Sequence, residues 1–369
     1  MRVPENLLED REVFRWHSNI ARKSLRTADE YLNRLNSFCR SKELTPSQLL
    51  ELEDIRLRNL ILDFITELEL RGKTGGYTAN IVKAVKSWLK FNGRDITFKF
   101  YIKGINESRI AETEVVPTKH ELKKVLMAAD LRERAAIVMM AFGALRPETL
   151  GNYRGDDCLR LQDLPDLKVY GEEVEFIRTP AQVVVRPNLS KMRHQYFTFL
   201  AEEACEYLRD YLMYRIRKGE ELKGASAVIS PVARAQWGRP LTTAGISSII
   251  RKAIKRAGFS WRPYIFRHFA DTWMLRAESA GLIVRDYRVF FMGHKGDIEH
   301  RYTLNKHTLP DDLIMDLRSS YERASVLLTG PHETEDIVKE EQKQKVVSAD
   351  EIEEYLEKGW EYVTTLPDS

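Results

Sequence analysis

The chain has 369 residues, with 58 Lys+Arg against 55 Asp+Glu, 43% hydrophobic residues and 31% charged ones. At roughly 100–200 residues per domain, this length predicts two domains and an appendage, each domain able to bury its own core. Cys39, Cys158 and Cys205 are too few and too widely spaced for a disulfide framework or a paired-cysteine zinc site, and they fit a reducing cytoplasm. The longest apolar stretch, Ala135 to Leu145, falls short of the ~18–20 residues that span a bilayer. The charged residues Arg2, Glu5, Glu9 and Asp10 have no apolar segment behind them, so neither a membrane span nor a secretory signal is expected.

The net charge of +3 hides an asymmetry. From Glu333 onward twelve acids face four bases, a net of −8, which leaves +11 on the first 332 residues. A basic body with an acidic tail suggests a polyanionic partner for the body.

Residues 1–105 read as a helical domain. Ala28, Tyr31, Leu32, Leu35, Phe38 and Cys39 recur at helical spacing. Thr45-Pro46-Ser47-Gln48 has the form of a capping box with proline at the first helical position. Leu57, Leu60, Ile61, Phe64, Ile65 and Leu68 form the next apolar stripe, ended by Gly72. The following helix puts Ile81, Val82, Val85, Trp88 and Leu89 on one face and Lys83, Lys86 and Lys90 on another. Those three lysines could track a phosphate backbone, or simply form a solvated face.

Residues 106–117 read as a linker, and Thr118 to Glu121 is a capping box that opens a second domain, 118–330. Helices run to about Leu150. Three β-rich runs follow, Val174–Arg178, Gln182–Arg186 and Gln195–Leu200, and they suggest one small antiparallel sheet with residues 187–194 looping between the last two strands. Helices return after Ala201, from Thr242 to Ala257 and after Pro263. Residues 331–369 are an acidic tail with a short helix opened by the Ser348 to Glu351 capping box. The expected fold is mainly α with a small antiparallel β-sheet.

Metal and nucleotide signatures are missing: there is no HExxH, tight acid cluster, Walker loop or GxGxxG, and a GxSxG elbow is also absent. The expected metal and cofactor content is therefore none. What remains is an ordered set of basic residues ending in a tyrosine. Arg146 stands where an apolar helix ends, in GALRPETL. Arg267 and His268 lie among apolar residues early in a helix, and His294 and Tyr302 are eight residues apart. Each has a bland alternative: Arg146 could pair with Glu148, Arg267 could pack over Trp261 or Trp273, His294 could cap a helix, and Tyr302 could belong to a core.

With those boxes in that order, the chain resembles the tyrosine recombinase (phage integrase) family from about Arg22 to Leu328, and GHKGDIEHRYTLNK is most similar to integrases of archaeal viruses and integrated elements. The resemblance implies a helical, SAM-like core-binding domain and an α+β catalytic domain clamping double-stranded DNA, with four protomers on two duplexes. It implies Arg146, Lys191, Arg267, His294 and Tyr302 as the catalytic set. Lys191, nine residues before Leu200, is the candidate β-hairpin lysine, with Arg193 and His194 as alternatives on the same loop. Glu148, Tyr264 and His268 would support them. Tyr264 departs from the family, which usually has histidine or lysine there. Glu148 falls two residues after Arg146 rather than three.

On this reading Arg146 and Arg267 would hold the non-bridging oxygens of a phosphodiester, and His294 would add a donor or take a proton. Lys191 would protonate the departing 5′ oxygen, and Tyr302 would form a 3′-phosphotyrosyl bond, its phenolate favoured by the surrounding cations. The resemblance also implies that a helix carrying Leu313, Leu317, Tyr321, Ala324 and Leu328 docks on a neighbouring protomer. Integration or excision of a mobile element is the first reading. A Xer-type chromosome-dimer resolvase, a type IB topoisomerase and a catalytically silent DNA-binding regulator are its rivals.

Overall fold

The computed structural model describes residues 5–106, 115–304 and 309–329. The acidic tail and its expected helix lie outside them. The chain divides into two compact units between Val115 and Val116.

The first unit is helical: α1 (Arg11–Ala21), α2 (Leu25–Ser41), α3 (Pro46–Glu51), α4 (Asp54–Leu70) and α5 (Gly75–Phe91). Short polar side chains start four of the five. The Asp10 carboxylate accepts from the Glu12 and Val13 N–H groups, Ser24 and Thr74 cap α2 and α5, and Thr45 with Gln48 forms the expected capping box. The apolar faces meet around Trp16 and Trp88, whose rings cross edge-on at 5.6 Å. Both indoles also satisfy their N–H groups, Trp88 on the Pro46 carbonyl at 3.0 Å and Trp16 on the Ser87 hydroxyl at 3.2 Å. Gly75 opens α5 beneath the returning chain, where a Cβ would sit 2.2 Å from the Lys103 carbonyl oxygen.

The second unit runs α6 (Lys119–Ala128), α7 (Leu131–Ala141), α8 (Pro147–Leu150), β1 (Leu167–Tyr170), β2 (Glu173–Phe176), β3 (Ala181–Val185), β4 (Tyr196–Leu200), α9 (Glu202–Arg217), α10 (Thr243–Arg256), α11 (Ile265–Ser279), α12 (Arg285–Phe291), α13 (Asp297–Leu304) and α14 (Asp311–Thr329). After a charged first turn, helix α7 is buried from Ala135 to Ala141, and that stretch is apolar on every side. It packs on α9, α10 and α11.

The strands differ from the single sheet expected. They form two separate antiparallel hairpins, β1 with β2 and β3 with β4. The first pairs Leu167 with Phe176 through Tyr170 with Glu173, and Leu167–Tyr170 was not among the β-rich runs read from sequence. The polar segment Arg178-Thr179-Pro180, whose proline has no N–H to give a ladder, separates β2 from β3. The second hairpin pairs Ala181 with Leu200 and closes at Val185 with Tyr196, so residues 186–195 are its connecting loop.

A second correction concerns α14. Its residues Leu317, Tyr321, Ala324 and Leu328 are buried in the core of their own unit, where α14 lies on α11 and the Tyr321 hydroxyl donates to the Phe142 carbonyl at 2.9 Å. That face is covered from within the chain because α11 and the aromatic pair Phe199 and Phe291 already form its bed, with ring centroids 5.7 and 5.8 Å from Tyr321.

Candidate active site

Arg146 is aimed by the way α7 ends. Ala144 takes a left-handed conformation (φ 53°), and a Cβ on Gly143 would come within 2.8 Å of the Met139 carbonyl oxygen. After this turn Arg146 is the extended residue before α8, with Pro147 at the first helical position. Glu148 lies half-buried in the same short helix.

Arg267 sits in the first turn of α11 and is 2% exposed. Its guanidinium donates to the carbonyls of Ala144 and Met292. Those carbonyls lie two residues before Arg146 and two before His294, so one side chain ties three distant segments together. His294 follows the end of α12, where Gly293 (φ 60°) lets the His294 N–H close on the Val289 carbonyl at 3.1 Å. Glycine is required there for a second reason: a Cβ would stand 2.5 Å from the Tyr196 ring.

Arg146, Arg267 and His294 therefore share one locality. Burial and the neighbouring charge of Arg146 lower the pKa of Arg267, whose guanidinium remains a cation. Partial desolvation followed by the charges of Arg267 and Arg146 lowers that of His294, favouring the neutral imidazole. Among the described residues neither arginine has a carboxylate within ion-pair distance. The site is a pair of largely buried cations suited to an anion with several oxygens.

Tyr196, which the sequence reading passed over, is the fully buried wall of this site. Its phenol lies near Arg267, Arg146 and Thr149, and burial raises its pKa against the lowering effect of the two cations. Tyr264 is surface-exposed, ends the chain before α11 and meets His268 edge-on at 5.2 Å. His268 itself is exposed, whereas the next residue, Phe269, enters the core.

Tyr302 is placed differently from the expectation. It is 4% exposed, packed edge-on against Phe197 and Phe290 at 5.6 and 5.8 Å, and its hydroxyl accepts from the Gln195 amide at 3.0 Å. Successive residues on a strand point to opposite faces. Phe197 therefore meets Tyr302 on one side of β4, while Tyr196 meets the arginines on the other. Burial raises the Tyr302 pKa, opposed only by the Gln195 hydrogen bond. This reverses the expected lowering by cations, because the phenol is desolvated and the guanidiniums lie across the strand.

Lys191 is exposed on the 186–195 loop. Arg193 is exposed in a left-handed conformation (φ 60°), and His194 is buried with its ring 6.1 Å from that of Tyr196. The loop's base is clamped by Arg186, whose Nε donates to Asp163 at 3.1 Å, Nη1 and Nη2 to Asp157 at 3.0 and 2.9 Å, and Nη2 to the Cys158 carbonyl at 2.6 Å. The Thr149 hydroxyl, beside Arg146, donates to the Leu189 carbonyl of the same loop at 3.4 Å.

In the first unit, the three lysines of α5 have unequal surroundings. Lys83 is exposed, Lys86 donates to the Phe98 carbonyl at 3.1 Å and lies over the Phe100 ring, and Lys90 pairs with Asp95 at 3.4 Å. Among the described residues no group of three His, Cys, Asp or Glu side chains is placed to hold a metal ion, and no helix is long and apolar enough to cross a membrane.

No family model matches the chain. It is 22% identical over 228 residues to transposase A from transposon Tn554 of Staphylococcus aureus (strain Mu50 / ATCC 700699), covering 59% of this chain and 57% of that protein. The same protein from strain N315 matches to the same extent. The chain thus spans little more than half the length of the curated relatives it matches. Among solved structures it is similar to a lambda integrase dimer bound to a COC′ core site, with TM-score 0.49, 18% identity, and 79% of this chain and 93% of that one covered. XerA recombinase gives TM-score 0.35 at 18% identity over 84% and 97% of the two chains. The Tn1549 transposon integrase in complex with circular intermediate DNA gives 0.37 at 16% over 70% and 84%.

Proposed function

We propose that the protein is a site-specific DNA recombinase that cleaves and rejoins strands through a 3′-phosphotyrosyl intermediate and moves a mobile element. The observation that carries this reading is the convergence of Arg146, Arg267 and His294, from three separate segments, on one locality with no carboxylate within ion-pair distance of either arginine among the described residues. A phosphodiester gains negative charge on its non-bridging oxygens as it becomes pentavalent, and forked guanidinium donors hold that charge. Tyr302 Oη forms the new P–O bond and the bond from phosphorus to the 5′ oxygen breaks. The phenol proton passes to His294, whose lowered pKa keeps it neutral and able to accept, and Lys191 protonates the leaving oxygen. The duplex is the substrate, and four copies on two duplexes complete strand exchange. The transposase name of the Tn554 relatives supports the mobile-element assignment over a chromosome-dimer resolvase.

Because Tyr302 is stowed on the far side of β4, the reading requires α13 to carry it out of its pocket before attack. The same stowed phenol favours a second reading, a silent DNA-binding regulator that never releases it. One assay separates the two. A labelled duplex nicked near the cleavage position traps a covalent adduct, which denaturing gels and peptide mapping then place. Adduct on Tyr302, lost in Tyr302→Phe with DNA binding retained, is the expected result. Tyr264→Phe and Tyr287→Phe should still form it. No adduct from the parent protein, or adduct on another tyrosine, overturns the proposal.

A further inference from the structure

A cavity of about 520 Å³ opens at the start of α7, the end remote from Arg146. Eleven residues of helix separate the two, roughly 16 Å at 1.5 Å per residue. Its walls come from the beginning of α7, the last turns of α9 and the 230–237 segment, all within the second unit. The lining is predominantly apolar and aromatic, with Tyr211, Tyr214 and Trp237 as its rings. Tyr214 and Val232 remain 42% and 71% exposed, so apolar surface is left open to solvent at its mouth.

Besides Arg215, which is paired with Glu220, three cations line it. Lys218 lies over the Tyr214 ring and Arg234 over the Trp237 ring, each at 5.5 Å. Arg132 is half-buried, and its Nε has no hydrogen-bond partner among the described atoms. None of the three has a carboxylate within ion-pair distance among the described residues. The two acids in the lining are engaged elsewhere: Asp130 accepts from the Glu133 N–H at the cap of α7, and Glu220 is paired with buried Arg215. A buried guanidinium N–H without an acceptor is costly and marks a place for an anion or water.

We propose that this cavity is a second ligand site, for a small dianion carrying a flat aromatic ring, of the nucleoside monophosphate class. The volume lies in the range of small-molecule pockets. The rings offer flat apolar contact to a base, and Arg132, Lys218 and Arg234 supply charge-assisted donors to a phosphate. The proposal goes beyond the recombinase reading and does not depend on it, since no residue of the cavity is among the strand-transfer residues.

The full-length protein, titrated calorimetrically with adenosine 5′-monophosphate, should bind it, and should bind adenosine or inorganic phosphate alone at least tenfold more weakly. Lys218→Gln with Arg234→Gln changes two exposed side chains and should weaken the nucleotide at least tenfold while adduct formation on the nicked duplex is unchanged. The arginine pair could also attract a phosphate, so Arg146→Lys is run beside it and should leave nucleotide affinity unaltered. Binding that disappears in Arg146→Lys but survives in the Lys218 and Arg234 variant would overturn the site, as would the parent protein failing to bind the nucleotide. Neither result bears on whether Tyr302 forms adduct.

Discussion

The Gln195 side-chain amide donates to the Tyr302 hydroxyl at 3.0 Å, and it does so from the residue that precedes Tyr196, the buried wall of the arginine pair. The β4 strand thus holds the proposed nucleophile on one face and the proposed phosphate site on the other. Gln195→Ala removes the hydrogen bond and keeps the edge-on packing of the phenol on Phe197 and Phe290. One hydrogen bond contributes about 1 kcal/mol, so release should become roughly fivefold easier. Adduct formation on a nicked duplex should rise by up to that factor, measured by initial rate. An unchanged or lower rate would mean that stowing is not what limits attack.

Tyr302 and His294 predict opposite responses to pH. Burial raises the pKa of Tyr302 above its ordinary 10, so the stability from its neutral phenol is complete below that value and is lost as pH rises through the folded one. Tyr196, Tyr211 and Tyr321 are raised by burial in the same sense, so thermal stability should fall steeply in alkali, and Tyr302→Phe should make that fall shallower. The pKa of His294 is lowered below 6.5, so the stability from its neutral ring is present above that pH and lost as pH falls through the folded value. Cleavage should show an acid limb at that lowered pKa. His294→Gln should slow cleavage and abolish the limb; a limb that persists belongs to another group.

Much of this architecture is legible in the sequence because it rests on local chemistry. The capping boxes at Thr45 and Thr118 start helices where their patterns place them, and the all-round apolar stretch before Gly143 is the buried α7. That Arg146, Arg267 and His294 belong to one site is what the family resemblance carried by their boxes implies. What is not legible depends on pairing between distant residues. Leu167–Tyr170 is a strand only because Glu173–Phe176 returns beside it. The side of β4 taken by Tyr302 depends on Phe290 and Phe197 meeting, and no spacing within either segment states this. The alternation of Gln195, Phe197 and Phe199 against Tyr196 and Thr198 was the available signal, and it needed the partner helix to become informative. Lys83, Lys86 and Lys90 show the same limit: their helical spacing is plain, and their inequality arises from Phe98, Phe100 and Asp95 folding back on α5.

That inequality makes a prediction for DNA binding. Lys83→Ala should flatten the log–log salt dependence of binding by about one unit, as expected for one lost phosphate contact. Lys86→Ala should mainly lower the melting temperature of the first unit, since its ammonium holds the Phe98 carbonyl. Equal salt slopes for Lys83→Ala and the parent would return α5 to the solvated-face reading.

The Arg186 clamp predicts a defect that separates loop positioning from DNA binding. Burial alone would raise the Asp157 pKa, but its hydrogen bonds and charge contact with Arg186 prevail and hold it below the ordinary carboxylate value. Arg186→Met leaves the buried Asp163 without its cation and Asp157 with only the longer contact to Arg160 at 3.4 Å, at a cost on the order of 2–3 kcal/mol. Because the clamp closes the base of the loop that carries Lys191, cleavage should fall more than DNA affinity does. Equal losses in both would assign Arg186 to general stability.

Lys191 provides the sharpest chemical test on that loop. An alkoxide is a poor leaving group, so an exposed ammonium delivering a proton to the 5′ oxygen should be worth roughly 10²–10⁴-fold in rate. Lys191→Ala should show that loss on an ordinary nicked duplex. A duplex with sulfur in place of the bridging 5′ oxygen expels a thiolate, which needs no proton, and should be cleaved by the variant at close to the parent's rate. Arg193→Ala serves as the matched control, being exposed on the same loop and predicted to be slowed little on either substrate. Equal impairment of Lys191→Ala on both substrates would move the acid elsewhere. Rescue by sulfur in Arg193→Ala would assign it to Arg193. Buried His194 is the weaker alternative, since its ring must leave the Tyr196 wall before it can reach a departing oxygen.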